Sequence, residues 1–319
     1  MLDKEHPMKP SILLTDGLSE NGQAILRAAG QVDDRSGIPA DELLGTIAQY
    51  DALIVRGRTK VTAEVLEAGT RLKVVGRAGV GVDNIDLAAA RARGVIVVNA
   101  PQATTISVAE HTLALMLALA RRIPAADRSM KAGEWAKKRL IGSELYGKTL
   151  GIIGTGRIGG AVAQRAAAFR MKVIGYDPYL IEEQIRQNGA VPVSLDELYA
   201  RADYISLHIP LSEQTRGLID AAAIARMKPG VRLICTARGG VIEEDALLEA
   251  LESGQVAGAG LDVFAQEPPG ATPLVAHPNV VAAPHIGAQT REAQARTAED
   301  IANEVLRALR GEELRWKIV

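Results

Sequence analysis

Several things are scarce in this chain. There is one cysteine, Cys235, so no internal disulfide can form, and no Cys/His group has zinc-ligand spacing. Aromatic residues are only 3% of the sequence, which leaves Ala, Val, Leu and Ile to fill any core. The formal net charge of −1 argues against a nucleic-acid binder, which needs a basic surface to neutralise phosphates. Long apolar runs are missing as well. The longest, TLALMLALA (112–120), is far short of a membrane span, and the opening MLDKEHPMKP has no apolar signal region. A cytoplasmic protein with no metal, nucleic-acid or membrane partner is expected.

What remains is 319 residues, 47% apolar and 24% charged, a composition that suits two globular cores. SILL (11–14), DALIV (51–55), LKVVG (72–76) and GVIVV (94–98) read as strands, and QVDD (31–34) as a weaker one. The segments between them have apolar residues at helical spacing, NIDLAAARAR (84–93) among them. Repeated strand–helix units imply a parallel sheet covered on both faces. Residues 104–122 then form a long apolar helix, expected to connect two domains or line an oligomer interface, with a polar helical stretch to about Arg139. A second series starts at Lys148: KTLGIIG, KVIGYD, DYISLH, VRLICTA, GAGLDVF and NVVAAPH, the last read as a buried strand that stops at Pro284. A final helix covers 291–311. The expected fold class is α/β with two doubly wound parallel-sheet domains. The expected boundaries are a discontinuous domain of 1–100 and 290–319, and a second of 101–289.

One loop carries a specific signal. KTLGIIGTGRIGG contains Gly154-x-Gly156-x-x-Gly159 after a strand and before an amphipathic helix, and KVIGYD ends in Asp177, eighteen residues beyond Gly159. That is the dinucleotide fingerprint in the context it requires. The glycines allow a tight turn, backbone approach to a pyrophosphate and close helix–strand packing, and the helix start offers unpaired N–H groups. Asp177 can accept hydrogen bonds from both ribose hydroxyls and repels a 2′-phosphate. Its neighbours Tyr176, Pro178 and Tyr179 supply no cation, so NAD is expected rather than NADP.

A bound nicotinamide implies hydride transfer, which needs a proton acceptor for the substrate hydroxyl and a cation to orient the substrate. Three groups stand at strand ends in the second series: Arg238 after LICTA, Glu267 after LDVF and His285 after VVAAP. In an open α/β sheet, ligands bind at the carboxyl ends of the strands, so the three should converge. In the first series, Arg56, Arg58, Lys60 and Arg77 lie on turns after strands, as a doubly charged anion would need, and AGVG (78–81) can offer backbone N–H groups to a carboxylate.

Through GKTLGIIGTGRIG, TARGGVIEEDAL, LDVFAQEP and PHIGAQT the chain resembles the D-isomer-specific 2-hydroxyacid dehydrogenases along nearly its whole length. The resemblance implies a Rossmann NAD-binding domain inserted into a flavodoxin-like substrate domain, and a homodimer. It gives Arg238, Glu267 and His285 the roles of substrate-binding arginine, supporting acid and catalytic acid/base. It implies cofactor contacts at Gly154, Gly156, Arg157, Ile158, Gly159, Asp177, His208, Ile209, Pro210, Thr236, Ala237, Asp262, His285 and Ala288, with Cys235 and Thr236 on the nicotinamide side. Substrate contacts are implied at Arg56, Arg77, Ala78, Gly79, Val80, Thr104 and Arg238. The implied reaction is oxidation of a small anionic D-2-hydroxy acid, phosphorylated as in 3-phosphoglycerate. A glyoxylate or hydroxypyruvate reductase and an NAD-sensing corepressor-like protein are the alternatives. Because the chain ends at Val319, it resembles short members of the family, and serine feedback through a C-terminal domain is not expected. Packing or surface roles suffice for His6, His111 and His277.

Overall fold

A computed structural model describes residues 9–319; the leader reading and His6 lie outside the described residues. The chain divides into two compact units, one of the residues up to Thr104 with Gln289–Val319, the other of Thr105–Ala288.

The first unit alternates β1 (Ser11–Leu14), α1 (Glu20–Ala29), β2 (Gln31–Asp34), α2 (Ala40–Thr46), β3 (Ala52–Val55), α3 (Ala63–Ala68), β4 (Val74–Arg77), α4 (Leu87–Ala92) and β5 (Ile96–Asn99). Its sheet is parallel, in the order β2-β1-β3-β4-β5, the flavodoxin-like winding. All four residues of β3 are buried, as a strand covered on both faces must be. Leu53, Ile54 and Val55, so enclosed, each contribute about 1.5–3 kcal/mol of transfer free energy. The helix expected from Asn84 begins only at Leu87, because the Asp86 carboxylate caps it by accepting from Ala89 N–H at 2.9 Å. Asn84 stays in the preceding loop.

The second unit comprises α5 (Thr105–Arg121), α6 (Ile123–Lys131), β6 (Thr149–Ile153), α7 (Arg157–Ala168), β7 (Lys172–Tyr176), α8 (Glu182–Gln187), β8 (Val191–Pro192), α9 (Leu195–Arg201), β9 (Tyr204–Leu207), α10 (Ala221–Ala225), β10 (Val231–Cys235), α11 (Glu244–Ser253), β11 (Val256–Leu261), α12 (Pro273–Ala276) and β12 (Val280–Ala282). The sheet runs β12-β11-β10-β9-β6-β7-β8, all parallel. Read from its first strand this is the Rossmann order, with the switch point between β6 and β9. Strand β8, too short to show a period, has no counterpart in the sequence reading. β12 is half-buried to exposed, not buried, because it is the edge strand. α5 packs on α7 and on β10, β11 and β12, which bury one side of it within its own unit, while Ile106 stays exposed. The polar stretch after it divides into α6 and a short 3₁₀ turn at Lys137–Arg139.

A last helix, α13 (Arg291–Arg310), returns to the first unit and packs on α1, β4 and β5. The chain end then pairs with β5, where Ile318 N–H donates to the Val97 carbonyl at 2.8 Å.

Candidate active site

In the second unit the groups of interest sit on loops leaving the carboxyl ends of parallel strands. After β6, Gly154 has φ +87°, and a Cβ there would lie 2.5 Å from the His208 carbonyl oxygen. A Cβ on Gly159 would lie 2.1 Å from the Gly154 carbonyl oxygen, so the loop closes against its own helix only with hydrogen there. Gly156 is the N-cap of α7, with no side chain to cap it and nothing within 4 Å of where a Cβ would stand. An uncapped helix start behind open space suits the pyrophosphate of a dinucleotide. The Asp177 carboxylate is fixed beside this loop, accepting from Thr155 N–H and Tyr179 N–H, each at 3.0 Å. Each oxygen keeps a lone pair for a ribose hydroxyl.

His208 follows β9. Its Nε2 is 2.8 Å from the Ser206 hydroxyl, and its Nδ1 is buried with no partner among the described residues. Burial pushes its pKa down to about 3, so the ring is neutral. Ile209 and Pro210 continue the same loop. Thr236 and Ala237 follow β10, and the Thr236 hydroxyl pairs with that of Thr112 on α5 at 3.0 Å. Burial drives the Cys235 thiol up to about 11, which leaves it inert as a nucleophile.

Arg238, Glu267 and His285 converge. His285 Nδ1 lies 2.8 Å from Glu267 Oε2, and the other carboxylate oxygen accepts from Phe264 N–H at 3.2 Å. Burial is the largest single influence on Glu267 and pushes its pKa up. The hydrogen bond and charge of His285, the Phe264 N–H and the charge of Arg238 outweigh it, and the carboxyl sits below its ordinary range. Arg238 Nη1 donates to the Ala237 carbonyl at 2.7 Å. The two loops can meet because residue 239 is glycine: a Cβ there would lie 1.8 Å from the Phe264 carbonyl oxygen. His285 itself has φ +55°, a left-handed conformation uncommon outside glycine. Asp262, expected as a cofactor contact, is 1% exposed and has both oxygens engaged by its own chain. Ala288 ends the unit.

In the first unit the basic groups follow β3 and β4. Burial lowers the pKa of Arg56, and the charge of Asp16 opposes the shift. Arg58 is a correction. Its Nε lies 3.3 Å from Asp16 and its Nη2 donates to the Thr15 carbonyl at 2.8 Å, so it binds two loops together and is not a free cation. The backbone cradle needs a second correction. Ala78 N–H donates to the Val55 carbonyl and Gly79 N–H to the Arg77 carbonyl, both at 2.8 Å. Of residues 78–80, only Val80 has an N–H without an acceptor of this kind among the described residues. Thr104 is buried. Supporting residues absent from the sequence reading are Asp16 and Asn84, which fasten the Arg56–Thr59 turn, and Glu244, which accepts from Ala265 N–H in the Glu267 loop. Only contacts across forty or more positions, or between adjacent loops, reveal them.

Residues 113–287 match the model of the D-isomer specific 2-hydroxyacid dehydrogenase family, NAD binding domain. The chain belongs to this family. The match covers the glycine loop, Asp177, Arg238, Glu267 and His285, and confers an NAD-binding domain on the chain. Two curated relatives of this chain, both named D-3-phosphoglycerate dehydrogenase, are from Methanocaldococcus jannaschii and Synechocystis. They are 51% and 47% identical to it, each over 94% of this chain. The alignments cover 58% and 54% of those proteins, so the chain spans somewhat over half their length. Among solved structures, the TT0316 protein of Thermus thermophilus superposes with a TM-score of 0.89 at 38% identity, covering 97% of this chain and 100% of that one. No helix among the described residues is long and apolar enough to cross a membrane.

Proposed function

We propose that the chain is an NAD-dependent dehydrogenase that oxidises D-3-phosphoglycerate to 3-phosphohydroxypyruvate, an early step toward serine. The observation that carries the chemistry is the 2.8 Å His285–Glu267 pair, with Arg238 beside it at the carboxyl edge of the NAD-binding sheet. The substrate assignment rests on the curated relatives' names. In this reading Thr105–Ala288 holds the cofactor, and the unit made from the chain ends recognises the acid.

The residues divide the work as follows. The start of α7 at Arg157 and Ile158 and the loop glycines receive the pyrophosphate, and Asp177 receives the ribose. Thr236, Ala237 and the His208–Pro210 loop flank the rest of the cofactor. Arg238 binds the substrate carboxylate and orients C2. The His285 imidazole accepts the C2 hydroxyl proton at Nε2, since Nδ1 faces Glu267. Glu267, held ionised, fixes the tautomer and stabilises the imidazolium that results. When bound, NAD supplies the hydride acceptor. Arg56, Arg77 and the Val80 N–H are assigned to anion recognition. A homodimer is proposed on the large apolar side chains left exposed around α6, Ile123, Met130, Trp135 and Ile141. A cytoplasmic location fits the chemistry.

Initial rates test the reading directly. 3-Phosphohydroxypyruvate should be reduced with kcat/KM about 10² or more above hydroxypyruvate, the worth of charge-assisted bonds to a phosphate. A preference for hydroxypyruvate or glyoxylate would make the protein a reductase of unphosphorylated acids.

A further inference from the structure

The turn that follows β3 has four backbone groups with no strand beside them: the N–H and C=O of Arg56 and of Thr59. Two buried side chains from other loops of the first unit take all four. The Asp16 carboxylate, two residues beyond β1 and 4% exposed, accepts at Oδ2 from Arg56 N–H at 2.7 Å and from Thr59 N–H at 3.1 Å. The Asn84 amide, in the loop before α4, donates one hydrogen to the Arg56 carbonyl at 3.0 Å and the other to the Thr59 carbonyl at 2.7 Å. The Thr59 hydroxyl donates to Asp16 Oδ1 at 2.6 Å and completes the clamp. Asn84 is itself fixed. Its carbonyl accepts from Val61 N–H at 2.8 Å, and Asp86 N–H donates to the Val61 carbonyl at 2.9 Å.

The clamp leaves the two arginines of the turn in different states. Arg58 is engaged by Asp16 and the Thr15 carbonyl. Arg56 is partly buried, and among the described residues no hydrogen bond or ion pair holds its guanidinium. A partly desolvated cation gains most from a partner anion, and a turn already fixed at both ends loses little freedom when the anion binds.

We propose that Asp16 and Asn84 are positioning residues for substrate specificity: by clamping both ends of the 56–59 turn they hold the Arg56 guanidinium for the second anionic group of the substrate. This rests on the reading above, which assigns Arg56 to anion recognition, and it names residues that make that recognition selective without touching substrate. A clamp and a charge act in opposite directions here. Asp16 is negative, so as a charge alone it disfavours a nearby anion, and its loss would favour the phosphorylated acid. As a clamp, its loss does the reverse.

The readout is the ratio of kcat/KM for 3-phosphohydroxypyruvate to that for hydroxypyruvate. Asn84→Ala should lower the ratio about tenfold or more, chiefly through KM for the phosphorylated acid, since a small displacement of a binding group costs that much. Asp16→Ala should lower it as well; a rise would make Asp16 a charge only and overturn the proposal. Thr59→Val removes one bond of the clamp with little change of shape and should lower the ratio about threefold or more, while Thr59→Ser, which keeps the hydroxyl, should restore it. In the Arg56→Gln/Asn84→Ala double variant the ratio should match that of Arg56→Gln within about twofold, because Asn84 acts through Arg56. Losses that multiply instead, or an equal loss on both acids, overturn the proposal. Thermal melting establishes that each variant is folded; if Asn84→Ala and Asp16→Ala are not, the Thr59 pair decides. Protection of Arg56 from phenylglyoxal by inorganic phosphate, mapped by mass spectrometry on NAD-free protein, reads the same turn without turnover. Half-protection should need several-fold more phosphate in Thr59→Val than in the wild type or Thr59→Ser. A wild-type Arg56 that phosphate does not protect, or half-protection unchanged in Thr59→Val, overturns the proposal. Should the wild type not prefer the phosphorylated acid, the substrate reading fails while the labelling still decides whether the clamp sets Arg56.

Discussion

His285 and Glu267 are eighteen positions apart, and neither has a distinctive neighbour in sequence. What relates them is the rule that ligands gather at the carboxyl ends of parallel strands. That rule reads three strand-end groups as one site, and in the structure the imidazole and the carboxylate stand 2.8 Å apart. Arg58 was not legible, because its partner Asp16 lies on another loop, and a salt bridge leaves no trace in local pattern. The Ala78 and Gly79 N–H groups went astray for a like reason: a cradle of donors is available only if no neighbouring strand has taken them. At this scale the reaction has a direct test. His285→Ala should lower kcat by roughly 10² to 10⁴, as loss of a general base does, a far larger loss than any in NAD affinity followed by fluorescence titration. Turnover near the wild-type level, with chemistry rate-limiting, would remove His285 from the role.

Elements matter here mostly through the loops they launch. β10 and β11 are adjacent, so the loops carrying Arg238 and Glu267 leave the sheet side by side and then touch at Gly239. Gly239→Ala would drive a methyl into the Phe264 carbonyl, and the backbone must move to relieve it. The variant should lose roughly 2 kcal/mol or more of stability and much of its turnover, read as a lower Tm and a lower kcat. A melting curve and rates matching the wild type would show that the loops are not packed as described. Helices with clear apolar periods were legible from the residues. The burial of β12 was misjudged, since an edge strand and a central one can share the same Val-Val-Ala run and differ only in what lies beside them. What covers α5 was also left open by its pattern, and on its buried side it is α7 and its own sheet.

For the molecule as a whole, one neutral ring adds its own term to the acid sensitivity of the fold. His208 has a folded pKa near 3 against an ordinary value of 6.5, so between those limits the unfolded chain binds a proton that the folded chain refuses. Stability should therefore fall as pH drops through that window, by up to about 1.4 kcal/mol per pH unit from this group. His208→Gln, which keeps a partner for Ser206, should flatten the slope in urea melts between pH 6.5 and 4.5. Parallel slopes for the two proteins would mean that the ring is protonated without difficulty in the fold.

The sequence alone determined the parallel α/β architecture, the dinucleotide loop and the types of residue that gather beyond the strand ends. Each of these rests on local patterning: the period of apolar residues, the spacing of glycines, and the position of polar groups just beyond a strand. Tertiary structure alone decided which charges were already neutralised, which backbone donors were already bound, and which loops touch. Those outcomes depend on partners brought together from distant positions, and a hydrogen bond or ion pair acts over a few ångströms of space regardless of the length of chain between its ends.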